Sequence, residues 1–431
     1  MKNLGVALAS LSLVSLIACR STTPPPEAVP SPTAATVERV RSLVSSGAIA
    51  SAFAHVDRER DAILAEWRML TEIEAPSGKE EQRALEVERI LRLMPSLEVS
   101  RDEVGNIIAL RRGDGGGPAV AVDAHLDTVF HEIAEVTTRV ENGRVFGAGI
   151  GDNTRNVEAV LAMLRALDAA SIRTRGDLIA TFTVEEETSF KGIDHLLATR
   201  GAGFDHFIAL DGGFGGFTYG GTGTYWIRYH FLGPGGHTRS RTPPWSAALP
   251  LSRAIDRIYA LDVPSDPPSW LNVGMLGGSD VVNEKAEDAW FSLDIRSTDQ
   301  QVLDRLDGAA RVIAQEEAAR AGMTVREEVV DKWPAAQIPG HRGSELVLTT
   351  QAVVEALGFS NPPITATASN HSSAALRNGI SAISTGTAPC GDAHVSTEWC
   401  EIEGFYKGIK TLTAITLAMT GGADEAVGSR K

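Results

Sequence analysis

Two histidines and a set of carboxylates stand where a shared site can form. Val120-Ala121-Val122-Asp123-Ala124-His125-Leu126-Asp127-Thr128 is an apolar, strand-type run ending in a histidine and a carboxylate two residues apart. Side chains alternate across a strand, so His125 and Asp127 share a face. The carboxylate can fix one ring nitrogen while the other takes a metal. Taken alone, the stretch fits a structural His–Asp hydrogen bond better than a metal site. Glu185-Glu186-Glu187 follows a second strand-type run, Leu178 to Val184, and Asp211 follows a third, Phe207 to Leu210. Asp152, in Gly149-Ile150-Gly151-Asp152-Asn153-Thr154, precedes a helical pattern, and His394 lies beyond the strand-type run Ile380 to Ser384. Loops at the carboxyl ends of an open α/β sheet converge on one crevice. Two histidines and three carboxylates are too few for two closed sites; they suit two open sites sharing a bridging carboxylate. Two cations roughly 3.5–4 Å apart hold a hydroxide between them and polarise a carbonyl. A spare carboxylate from the glutamate triplet then shuttles the proton.

The elements that must position these groups alternate. Helical spacing dominates from Val37 to about Met94, with Ala75-Pro76-Ser77-Gly78 as a break and the next helix starting at Ser77 or Gly78. Leu97 to Leu110 reads as two strands, Ala119 to Val122 as a third, and Val157, Val160, Leu161, Leu164 and Leu167 as a helix stripe. Strand, helix and strand in succession imply a sheet with parallel pairs. Gly212-Gly213-Phe214-Gly215-Gly216 reads as a hinge into a second α/β unit with its own core, containing a long helix from Gln300 to Arg320. Patterns like those of the first unit resume at Ser344, with helices Glu345 to Leu357, Ser372 to Arg377 and Phe405 to Met419.

The chain resembles the co-catalytic zinc peptidases and amidohydrolases that include peptidase T, glutamate carboxypeptidases, aminoacylase and succinyl-diaminopimelate desuccinylase. The resemblance rests on Ala75-Pro76-Ser77-Gly78, Asp123-Ala124-His125-Leu126-Asp127, Gly149 to Asp152, Glu185-Glu186-Glu187 and Leu210-Asp211-Gly212-Gly213. It continues through Gly236-His237-Thr238, Asn272-Val273-Gly274, Asp294-Ile295-Arg296, and His394 with Glu398. It implies an α/β fold: a zinc-exopeptidase-like catalytic domain with a mixed, largely parallel sheet, interrupted by a smaller ferredoxin-like lid or dimerisation domain. The expected boundaries are 37–215 and 334–421 for the catalytic parts, 216–333 for the insertion and 422–431 for a tail. The resemblance further implies two Zn²⁺ ions, with Co²⁺ or Mn²⁺ as alternatives. Asp152 bridges them, His125 and Asp211 complete one site, and Glu187 and His394 complete the other. Asp127 orients His125, and Glu186 is the general base. Strict alternation puts Glu186 and Glu187 on opposite faces, so the chain must leave extended geometry there; otherwise Glu185 competes for the base. His237 is expected to reach the substrate carbonyl from the partner subunit of a homodimer, and Asn283 and Arg296 to contact substrate. Arg296 equally fits a structural pairing around Asp294. Two departures stand out. Asp152-Asn153-Thr154-Arg155-Asn156 lacks the lysine and glycine common after the bridging position, and Ser369-Asn370-His371-Ser372 replaces a Thr-Asp-Ala-Asn pattern. Altered substrate contacts are expected, with the metals retained.

The expected activity is hydrolysis of an amide at a free terminus of a short peptide, as in a peptidase T-like aminopeptidase. A carboxypeptidase or N-acyl-amino-acid deacylase is the alternative within the family, and a catalytically silent peptide-binding lipoprotein the alternative outside it. The 431 residues carry a formal net charge of -15 with no basic cluster, which argues against a nucleic-acid partner. Lys2, the apolar Val6 to Ala18 and the sequence Leu16-Ile17-Ala18-Cys19 resemble a bacterial lipoprotein signal over residues 1–18. The resemblance implies acylation at Cys19, a membrane anchor, and the cell envelope as destination. Arg20 at the next position favours the outer membrane and periplasmic side. Residues 19–36 are rich in Pro, Ser and Thr and read as a tether. Cys390 and Cys400 remain as an even pair in an oxidising compartment, and a disulfide between them is the working hypothesis.

Overall fold

The computed structural model describes residues 30–422, apart from residues 134 and 243. The signal segment, Cys19 and residues 423–431 lie outside the described residues. Among the described residues, no helix is long and apolar enough to cross a membrane.

The strands Val120–His125 and Leu178–Thr183 are buried at every position. That is what strands with helices over both faces require. They lie in an eight-stranded sheet, ordered Glu98–Arg101, Ile107–Arg111, Leu178–Thr183, Val120–His125, His206–Phe214, Ser381–Gly386, Phe217–Thr218 and Ile364–Thr365. The four central strands from Leu178–Thr183 to Ser381–Gly386 run parallel. Ile107–Arg111 joins them antiparallel. Alternation then sorts the side chains into layers. Val120, Val122 and Ala124 pack with helices Arg155–Ala169 and Ile402–Thr420. Ala121 packs on the other side with helices Lys191–Arg200 and His371–Arg377. His125 has the parity of Ala121 and ends its strand at the sheet edge.

The second unit is an antiparallel sheet ordered Ser269–Gly277, Asp288–Ser297, Gly223–Leu232 and Thr324–Trp333. Helices Ala248–Tyr259 and Gln300–Arg320 cover one face. Strand–helix–strand–strand–helix–strand with this order is the ferredoxin-like arrangement. Asp288–Ser297 alternates strictly between buried and half-buried positions, with Ala289, Phe291, Leu293 and Ile295 inward.

Four differences from the sequence reading have physical reasons. The supposed hinge at Gly212-Gly213-Phe214 continues the strand His206–Phe214. Its register against Ser381–Gly386 slips there, because Gly212 adopts φ +75° and the extra residues bulge out. Thr324–Trp333 escaped notice because, as a half-exposed edge strand bearing Arg326, Glu327, Glu328, Asp331 and Lys332, it shows no apolar alternation. The helix after Gly78 starts at Glu81, since the Ser77 N–H donates to the Thr128 carbonyl at 3.2 Å and draws the segment alongside the strand exit. The first helix starts at Ala34, inside the supposed tether, capped by the Thr33 hydroxyl. A small third sheet was not anticipated. It pairs Cys390–Gly391 with Trp399–Glu401, Trp399–Glu401 with Arg144–Phe146, and Arg144–Phe146 with Arg139–Glu141.

Candidate metal centre

His125 is 3 % exposed. Its Nδ1 lies 3.2 Å from an Asp127 carboxylate oxygen and its Nε2 3.1 Å from Asp152 Oδ1. The other Asp152 oxygen is 3.2 Å from His394 Nε2. Two ligand triads result, His125–Asp152–Asp211 and Asp152–Glu187–His394, with donor atoms within 4.8 Å of one another inside each. Asp152 belongs to both. A third group, His125–Glu186–Glu187, meets the same limit. Glu187 Oε1 is buried and 3.4 Å from His394 Nε2, without hydrogen-bond geometry. A buried carboxylate oxygen with no hydrogen-bond donor among the described residues, surrounded by imidazole nitrogens and further carboxylates, fits a divalent cation.

The turn of the glutamates answers the alternation problem. Glu185 adopts φ +54°, so the chain leaves extended geometry one residue before Glu186. The Glu186 N–H donates to Asp127 Oδ1 at 2.9 Å and the Glu187 N–H to Oδ2 at 3.0 Å. The Ser77 hydroxyl donates to the same carboxylate at 2.7 Å. Asp127 therefore holds both His125 and the glutamate turn. Glu185 points elsewhere, 2.8 Å from Lys191 Nζ and from the Ser189 hydroxyl.

Burial dominates the electrostatics. It pushes the Glu186 carboxyl well above the usual range, and Glu187 up to about 7. Asp211 also rises, first from burial and then from the nearby Asp152 charge. Burial would raise Asp127 too, but the His125, Ser77 and Glu187 amide hydrogen bonds outweigh it and hold the group at about 2. The hydrogen bond that the His394 imidazole donates to Asp152 lifts it to about 9.

Asp152 is itself held from behind. Glu398, 1 % exposed, accepts the Gly149 N–H at 2.8 Å and the Asp152 N–H at 2.9 Å. Cys390 and Cys400 form a disulfide that closes the segment containing His394 and Glu398. It packs against Gly151, where a Cβ would lie 2.8 Å from Glu398 Oε1 and 3.0 Å from Cys400 Sγ.

The remaining expected residues are distributed unevenly. Arg296 lines the cleft beside Glu186, Glu187 and His394, and its Nε sits 3.1 and 3.2 Å from the two Asp294 oxygens, the structural pairing expected around Asp294. His237 and Asn283 are exposed on facing loops, where the Thr238 N–H donates to the Asn283 carbonyl at 3.0 Å. Neither lines the cleft, so within one chain they do not join the ligand cluster. Glu398 carries no expected role beyond its place in the matching stretches, and nothing local in the sequence signals one. His371 proves to be buried, its Nδ1 2.7 Å from Asp123 Oδ2 beneath the site. Arg377, Phe190, Trp226 and Trp333 line the cleft and were not singled out.

The sequence profile of Peptidase family M20/M25/M40 matches residues 121–418. A protein of Pyrococcus furiosus provisionally named a LysW-lysine/LysW-ornithine hydrolase is 30% identical over 129 residues, 30% of this chain and 36% of that protein. Its counterpart in Thermococcus kodakarensis is 31% identical over 135 residues, 31% of this chain and 35% of that protein. The match thus spans about a third of the length of these curated relatives. A tripeptidase from Staphylococcus aureus superposes with a TM-score of 0.74 at 19% identity, covering 83% of this chain and 97% of that one. The aminopeptidase PepT of Bacillus cereus gives 0.74 at 17% identity, covering 84% and 98%. Human carnosine dipeptidase 1 gives 0.66 at 11% identity, covering 87% and 99%. At these identities the structural likenesses concern the fold.

Proposed function

The chain belongs to Peptidase family M20/M25/M40, a family of hydrolytic enzymes, and from that premise we propose that it cleaves an amide at a free terminus of a short peptide, as a peptidase T-like aminopeptidase. The observation that carries the reading is the pair of ligand triads sharing Asp152, with Glu186 beside them. In this proposal His125 and Asp211 would hold one Zn²⁺, Glu187 and His394 would hold the other, and Asp152 would serve both. Bound there, the cations would supply Lewis-acid polarisation of the scissile carbonyl and would acidify water.

The chain's own residues do the rest. Glu186 takes the proton of the attacking water, since its burial raises its proton affinity, and returns it to the leaving amine. Asp127 fixes the His125 ring and, through two amide hydrogen bonds, the direction of the glutamate turn. His237 of a second copy donates to the developing oxyanion in a homodimer. A deacylase or carboxypeptidase reading gains support from Arg296 in the cleft, where a guanidinium can grip a carboxylate.

The test is a screen of dipeptides, tripeptides, N-acyl amino acids and C-terminal glutamates, with Glu186→Gln as the control. The variant is expected to keep its zinc and lose roughly 10²–10⁴-fold in kcat. Unchanged turnover would overturn the base assignment. Lipid anchorage at Cys19, and with it residence on the periplasmic side of the outer membrane, is proposed from the Leu16-Ile17-Ala18-Cys19 sequence. Cys19→Ser is expected to move the protein from the membrane fraction to the soluble one, and unchanged fractionation would dismiss the anchor.

A further inference from the structure

Two arginines reach the cleft, and their surroundings differ. Arg296, on the strand Asp288–Ser297, already has the Asp294 carboxylate as a partner. Arg377, the last residue of the helix His371–Arg377, is half-buried in the same cleft. Among the described residues, no carboxylate lies within ion-pair distance of it. Asp194 and Asp331 face it from farther away. A guanidinium that has lost part of its water without gaining a partner is set up to take an anion, and its planar fork suits a carboxylate.

Beside it stands an aromatic wall. Trp333 stacks on Phe190 with ring centroids 5.8 Å apart and meets Trp226 edge-on at 5.3 Å. Phe190 comes from the catalytic unit with φ +57°, a left-handed conformation that bulky residues rarely adopt. Trp226 and Trp333 come from the second unit. The cleft measures about 240 Å³. That is below the roughly 300 Å³ at which drug-sized pockets begin, a size that suits a small ligand.

We propose that the cleft selects amides whose carboxyl-terminal residue carries a free carboxylate and a large apolar or aromatic side chain. Arg377 takes the carboxylate, and the Phe190–Trp333–Trp226 wall takes the side chain. The inference rests on the hydrolase reading above and names its substrate class.

The experiment compares Ala-Phe, Ala-Phe-amide and Ala-Gly on the zinc-loaded protein, and measures binding of L-phenylalanine and phenylalaninamide by calorimetry. The wild type is expected to prefer the free acid over the amide by on the order of 10- to 100-fold in kcat/KM, the range of a charge-assisted hydrogen bond. Arg377→Met should abolish that preference by raising KM for the acid alone, with Arg377→Lys restoring part of it. Trp333→Ala and Phe190→Ala should each lower the preference for Ala-Phe over Ala-Gly. Equal turnover of acid and amide by the wild type overturns this inference and leaves the hydrolase reading standing. So does a preference that survives Arg377→Met and disappears in Arg296→Met. A protein that hydrolyses none of the peptides, yet binds L-phenylalanine over its amide only when Arg377 is present, overturns the hydrolase reading and keeps this one.

Discussion

His125 ends a strand buried at every position, whereas His394 sits on a loop with φ +63° and a side chain 53% exposed. Both reach Asp152, at 3.1 and 3.2 Å. The first is placed by the core, since moving it means breaking parallel pairing with strands on both sides. The second is placed by a covalent staple, the Cys390–Cys400 disulfide, together with the Glu398 carboxylate pinned to the Gly149 and Asp152 amides. Two ligands equal in distance are therefore unequal in support. The proposed cations should differ in how firmly they are retained.

The largest effect should come from the residue common to both regions. Asp152→Ala is expected to remove both zinc equivalents and more activity than the ~10–100-fold typical of a lost outer hydrogen-bond partner. Metal analysis with a turnover assay checks it, and one firmly retained zinc would mean that the two triads are more independent than their geometry indicates.

An intermediate effect should separate the regions. Replacing Cys390 and Cys400 together by serine frees the loop of 10-residue separation, for which chain entropy gives about 2–3 kcal/mol of lost stability. The Asp152–Glu187–His394 site should then lose its metal first while the other site stays filled. Equilibrium unfolding and stepwise zinc titration read the two parts. Simultaneous loss of both metals would erase the distinction.

The smallest effect concerns protons. In the metal-free protein the His394 imidazole is raised to about 9, chiefly by the hydrogen bond to Asp152, so its protonated form contributes stability. That contribution is complete below the unfolded value near 6.5 and is lost as pH rises through about 9. Thermal melts of metal-free protein should fall over that window, and His394→Gln should flatten the fall. A slope untouched by the substitution would assign it to His125, whose value is also raised.

Strand ends were the legible part of this chain. A run such as Val120-Ala121-Val122 announces a strand from local composition, and the chemistry that follows it inherits the sheet edge. The ferredoxin-like unit was equally readable wherever one face is buried, as in Asp288–Ser297, and unreadable at the charged edge strand Thr324–Trp333. What stayed hidden depends on partners distant in sequence. Glu398 matters because it meets backbone amides about 250 positions earlier, at a separation of 249 for Gly149. Arg377 matters because of what fails to reach it. Neither relation leaves a mark on neighbouring residues. His237 and Asn283 are named from resemblance alone, and both are exposed on loops outside the cleft.

The sheet order also constrains how the molecule comes into being. His206–Phe214 is bordered on one side by Val120–His125 and on the other by Ser381–Gly386, with the whole inserted unit made in between. During synthesis the growing polypeptide carries an unsatisfied strand edge for all that time, a liability for misassociation. His394 emerges later still. An unfinished polypeptide can neither seal that edge nor complete the Asp152–Glu187–His394 triad, so any cation that this triad would hold must wait until the last tenth of the protein is being delivered.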